Sequence, residues 1–263
     1  MNQDTTISFI VGPERTVEFY NAWASMLALD PPVHRALIIF NPYIPKDHEQ
    51  FFDIQEIRNA DILKLGSFHS LAWCWNQSLA LADTRYSLIC NDDIIFRDPD
   101  CIAKTEAKHK EGYKIVHATE NWSATSVDKA IINTVGWFDE DFWHSWEDID
   151  YRFRMAHQSE RMFRFDPWLI RHLRCQKGRN ENYWDESAKH FFDKWGVTEY
   201  VQKKWHTWVE TPETRKQLLC NQFFDHGIEH ELKEVIPTPD YYPRLSKEYA
   251  EKYPATVPCR ENT

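Results

Sequence analysis

Glycine is scarce in this chain, at 7 of 263 residues, and neither a Gly-x-x-x-x-Gly-Lys-Ser/Thr nor a Gly-x-Gly-x-x-Gly run occurs. Both motifs need glycines where backbone amides close on phosphate, so a P-loop and a dinucleotide fingerprint are excluded. Among Cys74, Cys90, Cys101, Cys175, Cys220 and Cys259 there is no Cys-x-x-Cys pair. Neither a zinc site nor a disulfide framework is indicated, and a reducing compartment is expected. No stretch approaches the roughly 18 apolar residues of a membrane span, and Met1 to Thr6 lacks the positive start of a signal sequence. A soluble, cytoplasmic protein is the expectation. Basic excess is missing too: the net charge of −10 argues against a surface made for phosphate backbones or anionic membranes. The local exception is residues 161 to 179, where Arg161, Arg164, Arg171, His172, Arg174, Lys177 and Arg179 face a single acid, Asp166. No internal repeat or low-complexity tract is evident.

Tryptophan, by contrast, is abundant at 12 residues, and acids concentrate in one place. Between Gly136 and Arg154, the carboxylates Asp139, Glu140, Asp141, Glu147, Asp148 and Asp150 are interleaved with Trp137, Phe138, Phe142, Trp143, Trp146, Tyr151 and Phe153. Solvated charge decoration rarely has that texture, whereas a catalytic wall does. Upstream, the apolar run Tyr86 to Cys90 ends abruptly in Asn91-Asp92-Asp93, the pattern of a buried strand delivering acids to a sheet edge. Acids so placed commonly hold a metal or a reacting group.

Apolar runs alternate with helical spacing along the first part of the chain. Strands are expected at Ile7 to Val11, Ala36 to Phe40, Ile62 to Leu65, Tyr86 to Cys90 and Lys114 to Ala118. Helices are expected at Val17 to Leu29, from a Ser67 cap through Trp75 to Ala82, from Asp98-Pro99 to Gly112, and over Ser126 to Val135. Ser145 is a candidate cap for a further helix carrying Glu147 and Asp148 in its first turn. Such alternation implies an α/β domain with a mostly parallel sheet covered by helices, whose ligands collect at the carboxyl ends of strands. After residue 185 the character becomes helical, at Glu186 to Trp195, Glu199 to Val209 and a segment capped by Thr211. From Ile236 onward, prolines alternating with tyrosine suggest an extended tail. The expected division is a catalytic domain over 1–185 and a helical extension with its tail over 186–263.

Taken in order, Asn91-Asp92-Asp93, Gly136-Trp137-Phe138-Asp139-Glu140, Glu147-Asp148-Ile149-Asp150, Arg154 and the later Lys194-Trp195-Gly196 resemble the motif series of family 2 and related GT-A glycosyltransferases. The resemblance covers roughly residues 7 to 196 and implies a GT-A, Rossmann-like fold. It also implies transfer of a sugar from a nucleotide-diphosphate donor, UDP-linked by default, to a hydroxyl acceptor with inversion. A hard divalent cation, Mn2+ or Mg2+, would neutralise the leaving diphosphate. By this resemblance Asp93 is the first metal ligand and His172 completes the site, while Asp92 faces the ribose or the metal's water shell. Arg171, Arg174, Lys177 and Arg179 are candidates to offset diphosphate charge. Asp148 is the general base and Glu147 an acceptor ligand. Gly12, Pro13, Arg15 and Asn41, at the ends of the first two strands, and Asn76 are expected to meet the nucleotide. The chain departs from the family pattern at Gly12-Pro13-Glu14-Arg15, at Asn41 and at Asn91, so the nucleobase is not assigned.

The acceptor reading favours a glycan or other small hydroxyl compound, with Trp137, Trp143 and Trp146 around the base. One alternative is a phage-type transferase acting on a hydroxymethylated base in DNA, with the 161 to 179 run tracking the backbone. A nucleotidyltransferase should carry a Gly-rich, cationic N-terminal loop, which is absent. A non-catalytic carbohydrate-binding module on a decayed scaffold should have lost the acids, which remain.

Overall fold

The computed structural model describes residues 4–33, 35–44, 60–158, 160–174 and 184–195, with short strands at 201–203, 206–208 and 230–231. Its centre is β1 (Thr5–Val11), a run whose every residue is buried, as a strand covered on both faces requires. Parallel pairing joins β1 to β2 (Ala36–Phe40) on one side and to β4 (Tyr86–Asn91) on the other, and β2 to β3 (Ala60–Lys64). Beyond β4, β7 (Ala124–Asp128) runs antiparallel to both β4 and β6 (Ile115–His117). β8 (Arg161–Arg164) lies parallel to β6, and β12 (His230–Glu231) pairs antiparallel with β8. The eight-stranded order is therefore β12-β8-β6-β7-β4-β1-β2-β3.

Strand alternation splits the core between the two faces. Ile7, Phe9 and Val11 join Ile38 and Phe40 on one side, packed by Phe19, Trp23 and Met26 of helix α1 (Thr16–Leu27). Ile10, Leu37 and Ile39 point to the other, where Cys74, Trp75 and Leu79 of α2 (Leu71–Leu81) meet Phe138 and Tyr151. Helix α3 (Cys101–Lys110) ends where Glu111 gives way to Gly112, whose φ of 101° a side chain would resist. Helix α4 (Glu147–His157) follows the acidic loop, and α5 (Trp184–Trp195) packs on that loop through Ala188 and Phe191.

Several local expectations change. Ser126 to Val135 is not a helix: its first residues belong to β7, and only a 3-10 turn follows at Lys129–Asn133. Pairing with β4 on one edge and β6 on the other outweighed the helical spacing. Ser70, not Ser67, caps α2, its hydroxyl accepting from Trp73 N at 3.1 Å. Ser145 cannot cap α4 in the usual extended conformation, because Ser145 and Trp146 both lie in the left-handed region, at φ 70° and 73°. The Trp146 carbonyl instead accepts from Asp150 N at 2.9 Å. Residues 199 to 209, expected to be helical, contain the antiparallel pair β10 (Val201–Lys203) and β11 (His206–Trp208). The helix expected from a Thr211 cap and the Pro/Tyr tail from Ile236 onward lie outside the described residues. Among the described residues, Cys74, Cys90 and Cys101 are free and buried, and no helix is long and apolar enough to cross a membrane.

Candidate functional site

The parallel strands stop at a common edge, and the loops leaving them are tied to one another. Asn41 N donates to Val11 O at 2.8 Å, and Leu65 N donates to Phe40 O at 3.1 Å. Asp92, just past β4, accepts from Gly12 N at 2.9 Å through Oδ2. A Cβ added at Gly12 would lie 3.5 Å from Arg15 Cγ and 3.6 Å from Asp92 Oδ2, so Gly12, Arg15 and Asp92 form one cradle beside Pro13. Burial pushes the Asp92 carboxyl up to about 7; the Gly12 amide lowers it, the neighbouring Asp93 charge raises it, and Arg15 lowers it.

His172 arrives at this edge from a distant part of the chain. Strand β5 (Ile94–Phe96) pairs antiparallel with β9 (Ile170–His172), which sets His172 opposite Ile94, and Leu173 N donates to Asp93 O at 2.8 Å. The imidazole Nε2 lies 3.2 Å from Asp93 Oδ1, while Nδ1 meets Ser123 Oγ at 3.0 Å and stands 3.8 Å from Glu120 Oε1. Ligands at right angles around a small divalent cation, each about 2.1 Å away, are about 3 Å apart, so this pair fits two coordination positions. The Ser123 contact at Nδ1 orients the ring so that Nε2 faces the carboxylate, where a cation would take both atoms as ligands.

The acidic segment splits into two environments. Asp139, Asp150, Arg154 and Lys194 form a buried network: Arg154 Nε bonds Asp150 Oδ2 at 2.9 Å, and Arg154 Nη1 donates to the Val135 and Trp137 carbonyls at 3.0 and 2.7 Å. The Lys194 ammonium bonds Asp139 Oδ2 and lies 2.8 Å from Asp150 Oδ1. Despite its burial, Asp139 is held well below the usual carboxylate range by His190 and the Lys194 ammonium. The motif lysine thus fastens α5 to both acidic stretches, a role the sequence pattern signalled without explaining. Asp139, Asp141 and His190 have ligand atoms within 4.8 Å of one another. A divalent cation there would sit against the Lys194 ammonium already on Asp139, so Coulomb repulsion disfavours it relative to the Asp93–His172 pair.

Glu147 and Asp148 open α4, and their environments differ. Glu147 is buried, its Oε2 has no hydrogen-bond partner among the described residues, and burial together with the Asp148 charge raises its pKa well above the ordinary value. Asp148 keeps a 27% exposed side chain, 3.6 Å from Arg152 Nη2. The Arg152 guanidinium lies over Trp122, 5.8 Å from the ring centroid, next in chain to the Ser123 that contacts His172. Asp148, Arg152, Trp122, Ser123, His172 and Asp93 therefore form a continuous series.

Asn76 is buried, donating to Phe138 O at 2.9 Å and Glu140 Oε1 at 2.8 Å while accepting from Phe138 N at 2.9 Å. Asn41 clamps the next loop, donating to His69 O at 2.9 Å and accepting from His69 N at 2.8 Å. Both amides are committed to shaping loops. Trp137 and Trp146 are buried, and Trp143 stays exposed. Nor is the basic run a continuous cationic face. Arg161 bonds Glu111 O and Tyr113 Oη, Arg164 bonds Glu120 O, and Arg174 pairs with Glu120 at 3.0 Å; residues 175–183 lie outside the described set.

The state of Glu147 gives a stability prediction. A folded-state pKa raised above the unfolded value means that the native state binds the extra proton, so this contribution is present below about pH 4.5 and fades as pH rises toward the folded value. Its slope is at most about 1.4 kcal/mol per pH unit. Glu147→Gln, which mimics the protonated acid, should flatten the stability–pH curve above about pH 4.5 relative to the parent. Parallel urea titrations between about pH 5 and 8 measure this, and identical slopes would refute the buried neutral acid.

No protein-family model matches the chain, and no curated protein matches it in sequence. Similarity appears among solved structures. The mannosyltransferase PcManGT from Pyrobaculum calidifontis, in complex with GDP-Man and Mn2+, superposes with a TM-score of 0.58 at 11% identity, covering 83% of this chain and 69% of that one. S. aureus TarS 1–349 in complex with UDP-GlcNAc gives 0.54 at 12% identity, covering 84% of this chain and 73% of that one. At such identity the likeness establishes the fold, which is the GT-A arrangement.

Proposed function

We propose that this protein is a metal-dependent glycosyltransferase that moves a sugar from a nucleotide-diphosphate donor to a hydroxyl acceptor with inversion. The observation that carries the reading is the convergence at one sheet edge of the Gly12–Arg15–Asp92 cradle, the Asp93–His172 pair and the Glu147–Asp148 helix start. The cradle offers a buried acid and a buried arginine to the ribose and phosphates. Asp93 and His172 would hold Mn2+ or Mg2+, which when bound supplies positive charge to the leaving diphosphate. Mn2+ is favoured, since the similar mannosyltransferase structure carries it. UDP remains the default nucleotide.

Asp148 is the accessible member of the acid pair and receives the acceptor proton as the hydroxyl attacks the anomeric carbon. Glu147, the buried member whose pKa burial and the Asp148 charge raise, keeps its proposed part as an acceptor ligand. A glycan is favoured over DNA because the arginines of the 161 to 174 stretch are largely engaged within the protein. The free thiols support a cytoplasmic setting. The division into a catalytic unit over 1–185 and an extension over 186–263 remains a proposal, with α5 crossing the boundary and tied to the acidic loop through Lys194.

A donor screen by thermal shift tests the reading. One UDP- or GDP-sugar should stabilise the protein in the presence of Mn2+, by about 2.7 kcal/mol at a hundredfold excess over its Kd. Chelation should remove that stabilisation and the transfer activity, and added Mn2+ should restore both. Asp93→Ala should stay folded and lose the Mn2+-dependent part. Unchanged nucleotide binding and activity in the chelated protein would dismiss the metal.

A further inference from the structure

Large exposed apolar side chains are few among the described residues, and two of them meet at the edge that carries the site. Phe68 is 44% exposed and Trp143 is 43% exposed, and their rings are nearly parallel, at 10°, with centroids 6.3 Å apart. Phe68 belongs to the loop leaving β3, and Trp143 to the acidic loop four residues before Glu147. The two loops are locked together. Leu71 N donates to Trp143 O at 3.3 Å, the Asn41 amide clamps both backbone groups of His69, and Ser187 Oγ holds His144 O at 3.1 Å. The His69 ring stacks on Trp73 with centroids 4.2 Å apart, which fixes the base of the same loop.

Two aromatic rings kept parallel in water by a clamped backbone are a preorganised surface with no part in the core. From this geometry we infer that Phe68 and Trp143 form a saccharide-binding platform that receives the acceptor glycan next to Glu147 and Asp148. The inference rests on the transferase reading for the word acceptor, but its geometry is independent of it. A pyranose presents an apolar face of C–H groups, whose slight positive charge complements the negative face of an aromatic ring, while its hydroxyls remain free for water and for the carboxyls of the acidic loop. A rigid ring loses little side-chain freedom on binding, so such a contact is effective on a shallow surface. The continuity of the acidic loop from Trp143 into α4 would orient a sugar stacked on the platform with one hydroxyl toward the acid pair.

The test uses the full chain on an array of defined mono- to tetrasaccharides, with UDP plus Mn2+ binding measured in parallel. The parent protein should bind a subset of the glycans. Trp143→Ala and Phe68→Ala should each weaken that binding by about tenfold, and Trp143→Phe should restore most of it. UDP binding should be unchanged in all three variants, which also shows that they are folded. Glycan binding that survives both alanine changes overturns the platform, as does a parent that binds UDP but no glycan; neither result touches the transferase reading. Glycan binding lost in the alanine variants of a protein that binds no nucleotide sugar would sustain the platform and defeat the transferase assignment.

Discussion

Replacing Asp148 by Asn should slow sugar transfer by about a hundredfold to ten-thousandfold, the usual contribution of a positioned general base. The substitution keeps size and hydrogen-bonding shape but cannot take the acceptor proton. Donor affinity should stay within a few-fold of the parent, because Asp148 belongs to α4 while the proposed nucleotide cradle is built from the loops after β1 and β4. Single-turnover transfer with saturating donor separates these quantities. Glu147→Gln provides the contrast: it retains a hydrogen-bond donor where the neutral acid has one, so it should lose less. Full activity in Asp148→Asn alongside a dead Glu147→Gln would exchange the two roles.

Changing Lys194 to Met should cost about 3–5 kcal/mol of folding stability. The ammonium is only 2% exposed and touches both Asp139 and Asp150, themselves 7% and 0% exposed. Removing it leaves two buried carboxylates with reduced compensation, because Asp150 keeps Arg154 and Asp139 keeps, among the described residues, the partly exposed His190 and the Asp141 amide. Lowering the pKa of Asp139 stabilises the fold above the unfolded carboxylate range, and this contribution disappears as pH falls toward the depressed folded value. Urea unfolding near neutral pH should therefore show the largest difference between parent and variant, with convergence in acid. A double variant, Asp139→Asn with Lys194→Met, should recover part of the loss, since the acid left without its partner is also removed. An unchanged unfolding midpoint in the single variant would show that water reaches these carboxylates.

The central strands were legible because each is a short apolar run bounded by turn residues, and every position in β1, β2 and all but the last of β4 is buried. The placement of acids after β4 was legible for the same reason: burial ends where the run ends. Misreadings arose where two local signals competed. Ser126 offered a helix cap, but Ala124 to Asp128 also fitted the space between β4 and β6, and sheet pairing on both edges decided the outcome. At 145 and 146, positive φ at both residues displaced the expected cap, a backbone state that residue type alone does not announce.

By itself, the sequence determined the strand-and-helix alternation, the acids at the end of β4 and the presence of a second acidic stretch, because these depend on periodicity and short-range order. Only tertiary structure decided which partners each acid has. The β5–β9 pairing brings His172 to Asp93, and the packing of α5 brings Lys194 to Asp139 and Asp150, turning half of the acidic segment into a buried tie. Burial of Glu147 beside a partly exposed Asp148 then separates two adjacent carboxyls into one whose pKa is raised and one that stays accessible. Such differences arise from dielectric, counter-charge and neighbours far away in the chain, and local sequence encodes them only through the fold.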